Sequence, residues 1–562
     1  MKSKTSRTVV LVVLALSAIA SANNGNKIAP DLQGQTGTVN IIVQFTVLPT
    51  TKQHQKVVSR GGKLKRKLDL VKGGAYSMPA SKLADLATDS QVVYISPDRG
   101  LNGAAGNLSA VLDYHTETVN APYAWGAGLD GTGVGVAVID SGIIDSPDLQ
   151  GRIIYSQSFL GNGSGGATDR FGHGSHVAVI IGGSGKKSSG NQYFYTFNGI
   201  APNVNLIDLR VLDQNGQGTD SQVIAAIQTA ISLKSTDKIR VMNLSLGRPV
   251  YESYALDPLC QAVEQAWQAG IVVVVSAGNY GRDNSFNNDG YATITSPAND
   301  PYVITVGAMK TMGTPSRADD LIATYSSKGP TLLDHIAKPD LVAPGNQIIS
   351  LYKPALVLNQ LYPGNEIPLS LYQTLGSTSA SSNYYILSGT SMAAPMVSGT
   401  AALMLQQNSS LTPDQIKARL MKTAYKTFPQ YSSYTDPASG ITYTDQYDVF
   451  TVGAGYLDVQ AALQSTDLST GVARSPVVQY DPDTQTVYFV NDTFAVWGGN
   501  SPDWSSFAVW GGSVFLNNQF AVWGGSAPWG NSTDTGFFAV WGGSTIQSSS
   551  APISETLIHG DR

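Results

Sequence analysis

Gly133-Val-Gly-Val-Ala-Val-Ile-Asp-Ser-Gly142 is an apolar, β-branched run that stops at a carboxylate and a turn. A run without polar alternation reads as a strand buried on both faces, the pattern of a parallel sheet. Asn205-Leu-Ile-Asp-Leu-Arg-Val211, Arg240-Val-Met-Asn-Leu244 and Ile271-Val-Val-Val-Val275 repeat it with helical patterns between them. Residues 115–464 are therefore expected to form an α/β domain, a mainly parallel sheet with helices on both faces. In such sheets the ligand crevice lies outside the carboxyl ends of the strands, which singles out Asp140, Ser245-Leu246-Gly247 and Asn279. By itself an aspartate so placed equally caps a turn.

Phe171-Gly-His-Gly-Ser-His-Val-Ala178 is sharper. Glycines on both sides of His173 clear space for an imidazole at a helix start, which makes it a candidate general base. His173 and His176 also share one helical face, as a metal pair does, but no third ligand of the kind zinc needs is near, and no metal is assigned. Gly389-Thr-Ser-Met-Ala-Ala-Pro395 puts Ser391 where a strand or loop turns into a small-residue helix, Met396 to Leu405. The positive end of that helix favours developing negative charge, so Ser391 is a candidate nucleophile. Taken alone, the segment equally suits a tight helix start in any α/β protein. Asn279, after the run of valines, either offers an amide donor to the crevice or simply fills a turn.

The 562 residues exceed one ordinary domain, and the formal net charge is −5. Lys2, Lys4 and Arg7, the apolar run Val9 to Ala20 and the small-x-small Ala20-Ser-Ala22 read as a secretory signal peptide over 1–22. That run is too short to cross a bilayer; no membrane span is expected, and the mature protein is expected to be secreted. The single cysteine, Cys260, lies in an amphipathic pattern and reads as a buried small apolar residue. Residues 23–100 carry 11 Lys+Arg against 5 Asp+Glu, whereas residues 101–562 carry 21 against 35. The basic cluster Lys63-Leu-Lys-Arg-Lys67 suits an acidic partner in its own chain better than nucleic acid, which the acidic body would repel.

Residues 38–100 read as a small α+β unit: a strand at Val39–Phe45, a basic helix-like stretch, a helix at Ser81–Ala87 and a strand at Gln91–Ile95. A Gly/Asn/Ala linker at 100–107 is open to proteolysis. Residues 466–562 turn to Ser, Thr, Gly and Trp and repeat Phe-Ala-Val-Trp-Gly-Gly at Phe494, Phe507, Phe520 and Phe538. Such units suit short strands and turns, so this extension is expected to be β-rich or irregular. Surface attachment, glycan stacking and self-association are the roles its aromatic-glycine units allow.

In the order Asp140, His173, Asn279, Ser391, these residues resemble the subtilisin-like serine proteases, the subtilases of peptidase family S8. The resemblance runs over about 115–464, and it takes in Val138–Gly142, Gly172–Val177, Asn243–Gly247, Ala277–Asn279, Ser296-Pro-Ala298, Lys338–Gly345, Gly389–Pro395 and Gly453–Leu457. It implies a three-layer subtilisin-like fold and a serine endopeptidase that needs no cofactor for catalysis. Asp140 would orient His173, His173 would take the Ser391 proton, and Ser391 would attack the peptide carbonyl to form an acyl-enzyme. The Asn279 side chain and the Ser391 N–H would hold the oxyanion. Ser245-Leu246-Gly247 and Gln217-Gly218-Thr219 would pair with the backbone of protein or peptide substrates. The P1 pocket would be lined by Ser245–Gly247, by Ala277–Asn279 including Gly278, and by the segment ending at Thr295. No carboxylate stands at its base, which favours an uncharged, often apolar P1 residue over dibasic specificity. Residues 38–100 resemble the family's inhibitor-type (I9-like) propeptide, a folding helper and temporary inhibitor, so an autoprocessed zymogen is expected.

The chain departs from the family in places. Asp148 matches a calcium ligand of many relatives and makes structural calcium a candidate, but the loop that supplies the other ligands reads Gly185-Lys-Lys-Ser-Ser-Gly-Asn191. About 30 residues, Tyr352 to Tyr385, intervene before the nucleophile segment and are expected to form a rim loop. Asn243-Leu-Ser245 has the glycan-acceptor pattern but sits inside a catalytic-domain motif. The rival reading, an inactive subtilase scaffold serving adhesion or binding, sits poorly with the retention of all three triad residues.

Overall fold

The computed structural model describes residues 27–102, 113–161, 166–285, 288–437, 439–469, 471–481, 486–489 and 560–561. The expected signal peptide and the four Phe-Ala-Val-Trp-Gly-Gly units lie outside the described residues. The chain divides into two units, Met1–Pro97 and Asp98–Arg562.

In the first unit, β1 (Thr38–Phe45), α1 (Thr51–Val58), β2 (Lys63–Leu68), β3 (Gly73–Pro79), α2 (Leu83–Ala87) and β4 (Val92–Pro97) follow one another. The strands form an antiparallel sheet ordered β2-β3-β1-β4. The basic stretch is helical only as far as Val58. Gly61 takes a positive φ of 85°, and the alternation of Lys63, Lys65 and Lys67 with Leu64 and Leu68 then suits a strand that turns the lysines outward.

The second unit contains β5 (Gly100–Asn102), α3 (His115–Thr118), α4 (Ala121–Gly126), β6 (Gly135–Asp140), β7 (Ile153–Ser158), α5 (His173–Gly182), β8 (Asn205–Arg210), β9 (Gln217–Thr219), α6 (Asp220–Leu233) and β10 (Ile239–Leu244). It continues with α7 (Pro258–Gln268), β11 (Val272–Ser276), β12 (Ile304–Lys310), β13 (Leu321–Ile322), β14 (Leu341–Pro344) and β15 (Ile348–Leu351). Next come α8 (Val357–Leu361), β16 (Glu366–Pro368), β17 (Ala380–Leu387), α9 (Thr390–Gln407), β18 (Tyr431–Thr435) and β19 (Thr442–Gln446). The central sheet runs β13-β12-β11-β10-β6-β8-β7 with β14 beside β12, and every pairing except β12 with β13 is parallel. Strands β6, β11 and β12 are buried along their whole length, which is why they read as unbroken apolar runs. Helix α9 lies on β10, β11 and β12 with α5 beside it. The parallel arrangement brings the carboxyl ends at Asp140, Leu244 and Ser276 to one edge.

Two segments differ from their sequence-based expectation. Residues 352–385 are no bare loop: α8, β16 and β17 lie in it, and the sheet β15-β17-β16 closes a core of its own with Ile349, Ile367, Tyr372, Tyr384, Ile386 and Phe197. Within the expected linker, Gly100–Asn102 is a strand antiparallel to β9. Main-chain pairing needs no side-chain pattern, so composition could not announce it. At the other end of the described chain, Asp561 is buried among Arg282, Lys310, Thr324 and Asn346.

Candidate active site

Asp140 ends β6 and His173 begins α5, and a close approach of backbones joins them. A Cβ on Gly174 would stand 2.3 Å from the Gly142 carbonyl oxygen, so only glycine lets the helix start press against the turn after Asp140. His173 Nδ1 then meets both carboxylate oxygens of Asp140, at 2.8 and 2.9 Å, with both side chains fully buried. Burial alone would lower the His173 pKa. The charge and hydrogen bond of Asp140 outweigh it, so the imidazolium is held above the ordinary histidine value. His173 Nε2 has no hydrogen-bond partner among the described residues and is the nitrogen left to take a proton.

Ser391 stands in the first turn of α9, and its hydroxyl donates to the Ser245 carbonyl at 3.1 Å. The Ser245 hydroxyl returns a bond to the Ser391 carbonyl at 2.8 Å, and Asn243 Nδ2 donates to Ser245 Oγ at 2.9 Å. Asn243 is fully buried in this network. Asn279 is fixed by its amide oxygen, which accepts from Thr390 N at 2.9 Å and from Thr390 Oγ1 at 3.0 Å. Its Nδ2 is thereby left as a donor on a side chain anchored to Thr390, the residue before Ser391 in sequence. The lining segments converge too. Thr295 N donates to the Ala277 carbonyl at 3.0 Å, and Cβ atoms on Gly247 and Gly278 would stand 2.6 and 2.7 Å from the Thr295 side chain. Gln217 and Gly218 lie apart from this cluster on β9, whose following residue Asp220 is paired with Arg248, next to Gly247.

A match to the subtilase family spans residues 131–455, more than half of the chain. The chain belongs to the subtilase family. This subtilase is 40% identical to the serine protease AprX of Bacillus subtilis (strain 168) over 320 residues, which are 56% of this chain and 66% of AprX. It is 30% identical to subtilisin E of the same organism over 422 residues, covering 75% of this chain and 88% of subtilisin E. The crystal structure of fervidolysin from Fervidobacterium pennivorans, a keratinolytic enzyme related to subtilisin, shares the fold with a TM-score of 0.58 at 22% identity, over 82% of this chain and 66% of that one. The subtilase is a serine endopeptidase. No described helix is long and apolar enough to cross a membrane.

Calcium binding is common in subtilases, but the surroundings of Asp148 do not fit it. Asp148 Oδ1 accepts from Lys187 N at 2.7 Å and Oδ2 from the Tyr384 hydroxyl at 2.9 Å. These partners are donors, whereas a hard cation needs several further oxygens. Among the described residues no three His, Cys, Asp or Glu side chains gather as a metal site. His176, the other half of the candidate metal pair, faces the Tyr385 carbonyl at 3.1 Å, and burial lowers its pKa to about 3.

Asp169 is part of this site, and sequence reasoning missed it. Its Oδ1 accepts from Phe171 N, Gly172 N and Ser141 Oγ, each at 2.9 Å, and its Oδ2 from Ser175 N and Oγ at 3.0 and 2.7 Å. It therefore sets the turn that delivers His173. The available signal was a carboxylate four residues ahead of a histidine at a helix start.

Proposed function

We propose that the protein is a secreted serine endopeptidase, made as a precursor that cuts itself after the inhibitor-like unit, with Ser391, His173, Asp140 and Asn279 carrying the chemistry. Ser391 Oγ attacks the peptide carbonyl carbon while its proton passes to His173 Nε2. Asp140 holds the ring by Nδ1 and stabilises the imidazolium. Asn279 Nδ2–H and the Ser391 N–H receive the negative oxygen. Collapse expels the amine with the proton from His173, and water then enters by the same route to free the acid.

The observation that carries this reading is the buried Asp140–His173 pair with its free Nε2, at the sheet edge that also bears Ser391 and Asn279. A second supports self-cleavage: Gly100–Asn102 runs antiparallel to β9 in the register Gly100↔Thr219, Leu101↔Gly218, Asn102↔Gln217, the pairing expected of a bound substrate. The chain continues as Gly103-Ala-Ala-Gly106, whose small residues suit an uncharged P1 pocket. Expression of the wild type beside Ser391→Ala tests this. Wild type should yield a new N-terminus shortly after Asn102 and label with a serine-directed phosphonate, and Ser391→Ala should do neither. A wild type that neither processes nor labels would sink the reading.

A further inference from the structure

Just ahead of β5, the Arg99 guanidinium meets both carboxylate oxygens of Glu252 in a parallel two-bond fork, at 2.5 and 2.7 Å. Only 5% of the arginine side chain and 2% of the glutamate side chain are exposed. The guanidinium carbon lies 5.1 Å from the centre of the Tyr251 ring. Glu252 and Tyr251 belong to the loop that follows Ser245–Gly247. That loop's own arginine, Arg248, is already held by Asp220 and Asp257. The main chain is held as well: Asp220 N donates to the Arg99 carbonyl at 2.8 Å, while Ser221 N and Oγ donate to the Asp98 carboxylate at 2.8 and 2.5 Å. Asp98–Asn102, the first residues of the larger unit, are thus held by a backbone ladder at one end and a charged side chain at the other.

We propose that Glu252 with Tyr251 is a distal substrate subsite that selects an arginine three residues before the residue paired with Gln217. The proposal rests on the endopeptidase reading, in which the ladder on β9 holds the acyl side of any substrate. The fork geometry and the aromatic face suit a planar guanidinium and not a lysine ammonium, which offers neither two parallel donors nor a stacking surface. The enzyme then reads charge far from the scissile bond while tolerating small, uncharged residues at it.

Two measurements test this separately from the activity itself. In the full chain carrying Ser391→Ala, Arg99→Gln, Glu252→Gln and the double variant are compared by thermal unfolding. Each single change should lower Tm, and the double should lower it no further than the larger single. Strict additivity overturns the pairing. With the active protein, the peptide of residues 98–108 is compared with versions carrying citrulline or lysine in place of Arg99. kcat/KM should fall about 10- to 100-fold for citrulline, the usual worth of a charged buried hydrogen-bond pair, and that ratio should approach one in Glu252→Gln. Equal rates in wild type, or a ratio that survives in Glu252→Gln, overturn the subsite. An active protein that cuts short peptides but ignores the arginine loses this subsite alone. A protein that cuts nothing fails as an endopeptidase, and the unfolding series still decides whether Arg99 and Glu252 form a pair.

Discussion

Residues 98–102 and 560–561 are both held on the larger unit by buried charge, but by different kinds of partner. The first stretch lies in a strand ladder on β9 and places Arg99 on Glu252, so a substrate could replace it bond for bond. The second has no ladder. The Asp561 carboxylate meets Arg282 at 2.6 Å, Lys310 at 3.0 Å and Thr324 Oγ1 and N at 2.7 and 2.8 Å, while Asn346 both donates to and accepts from its main chain. Arg282 also lies over the rings of Tyr434 on β18 and Tyr443 on β19, and Lys310 over that of Tyr434. A contact shared with substrates has to be reversible. One made by a carboxylate among cations and hydroxyls fastens, and here it fastens the loop after Asn279 to the loop before β15.

The largest break in that contrast is chemical. Ser391→Ala should lower peptidase kcat by about 10⁶, as loss of the nucleophile in such triads does, and leave the first stretch covalently attached while Asp561 is unaffected. Intact-mass measurement and assay of a chromogenic peptide check both halves. Asp140→Asn comes next, with a loss of about 10⁴ in kcat from the wrong tautomer. Its pH profile carries a sign: catalysis needs neutral His173, and Asp140 raises the His173 pKa, so the acid limb of kcat/KM lies above the ordinary value of about 6.5 in wild type and moves to lower pH in the variant. An acid limb that stays put would remove Asp140 from the pair. Asn279→Ala should slow kcat by on the order of 10²–10³ with little change in KM, because in the proposed mechanism its donor meets the oxyanion and not the ground state.

Much of this site was legible in sequence because each element announces itself locally. Val136–Asp140, Gly172–Gly174 and Gly389–Ser391 carry a strand end, a crowded helix start and a small-residue helix within a few positions of the residue that matters. Arg99 and Glu252 are 153 positions apart, and Arg282 and Asp561 are 279 apart. No periodicity links such partners; only the fold does. The 352–385 insertion was misread for a related reason. Its Ser, Thr, Gly and Tyr lack alternation, and its order comes from tyrosines packing on Phe197, a residue far upstream.

Fastening should appear as stability. Asp561→Asn leaves Arg282 and Lys310 facing a neutral group, and losing one partner of a buried pair costs about 3–5 kcal/mol. Calorimetry should show Tm lower by about 5 °C or more, while the proposed self-cleavage after Asn102 is not abolished. An unchanged Tm would put Asp561 in the same class as an exposed ion pair, worth about 0–1 kcal/mol.

Tyr384→Phe supplies the smallest effect and calibrates the rest. The Tyr384 hydroxyl donates to Asp148, the calcium-ligand position of the sequence resemblance, and bonds Ser188 Oγ at 3.0 Å. Removing it leaves Asp148 one donor short at a cost of about 1–3 kcal/mol, so Tm should fall less than in Asp561→Asn. Because both Asp148 oxygens already have donors, a chelator should not move the wild-type Tm. A chelator-induced drop as large as that of Tyr384→Phe would mean that a cation does this work, and that donors alone cannot replace it. Burial of Asp148 already raises its pKa despite the Lys187 amide and the Tyr384 hydroxyl, so losing that hydroxyl should raise it further. The Tm deficit of Tyr384→Phe should then shrink as the pH falls and Asp148 takes up a proton.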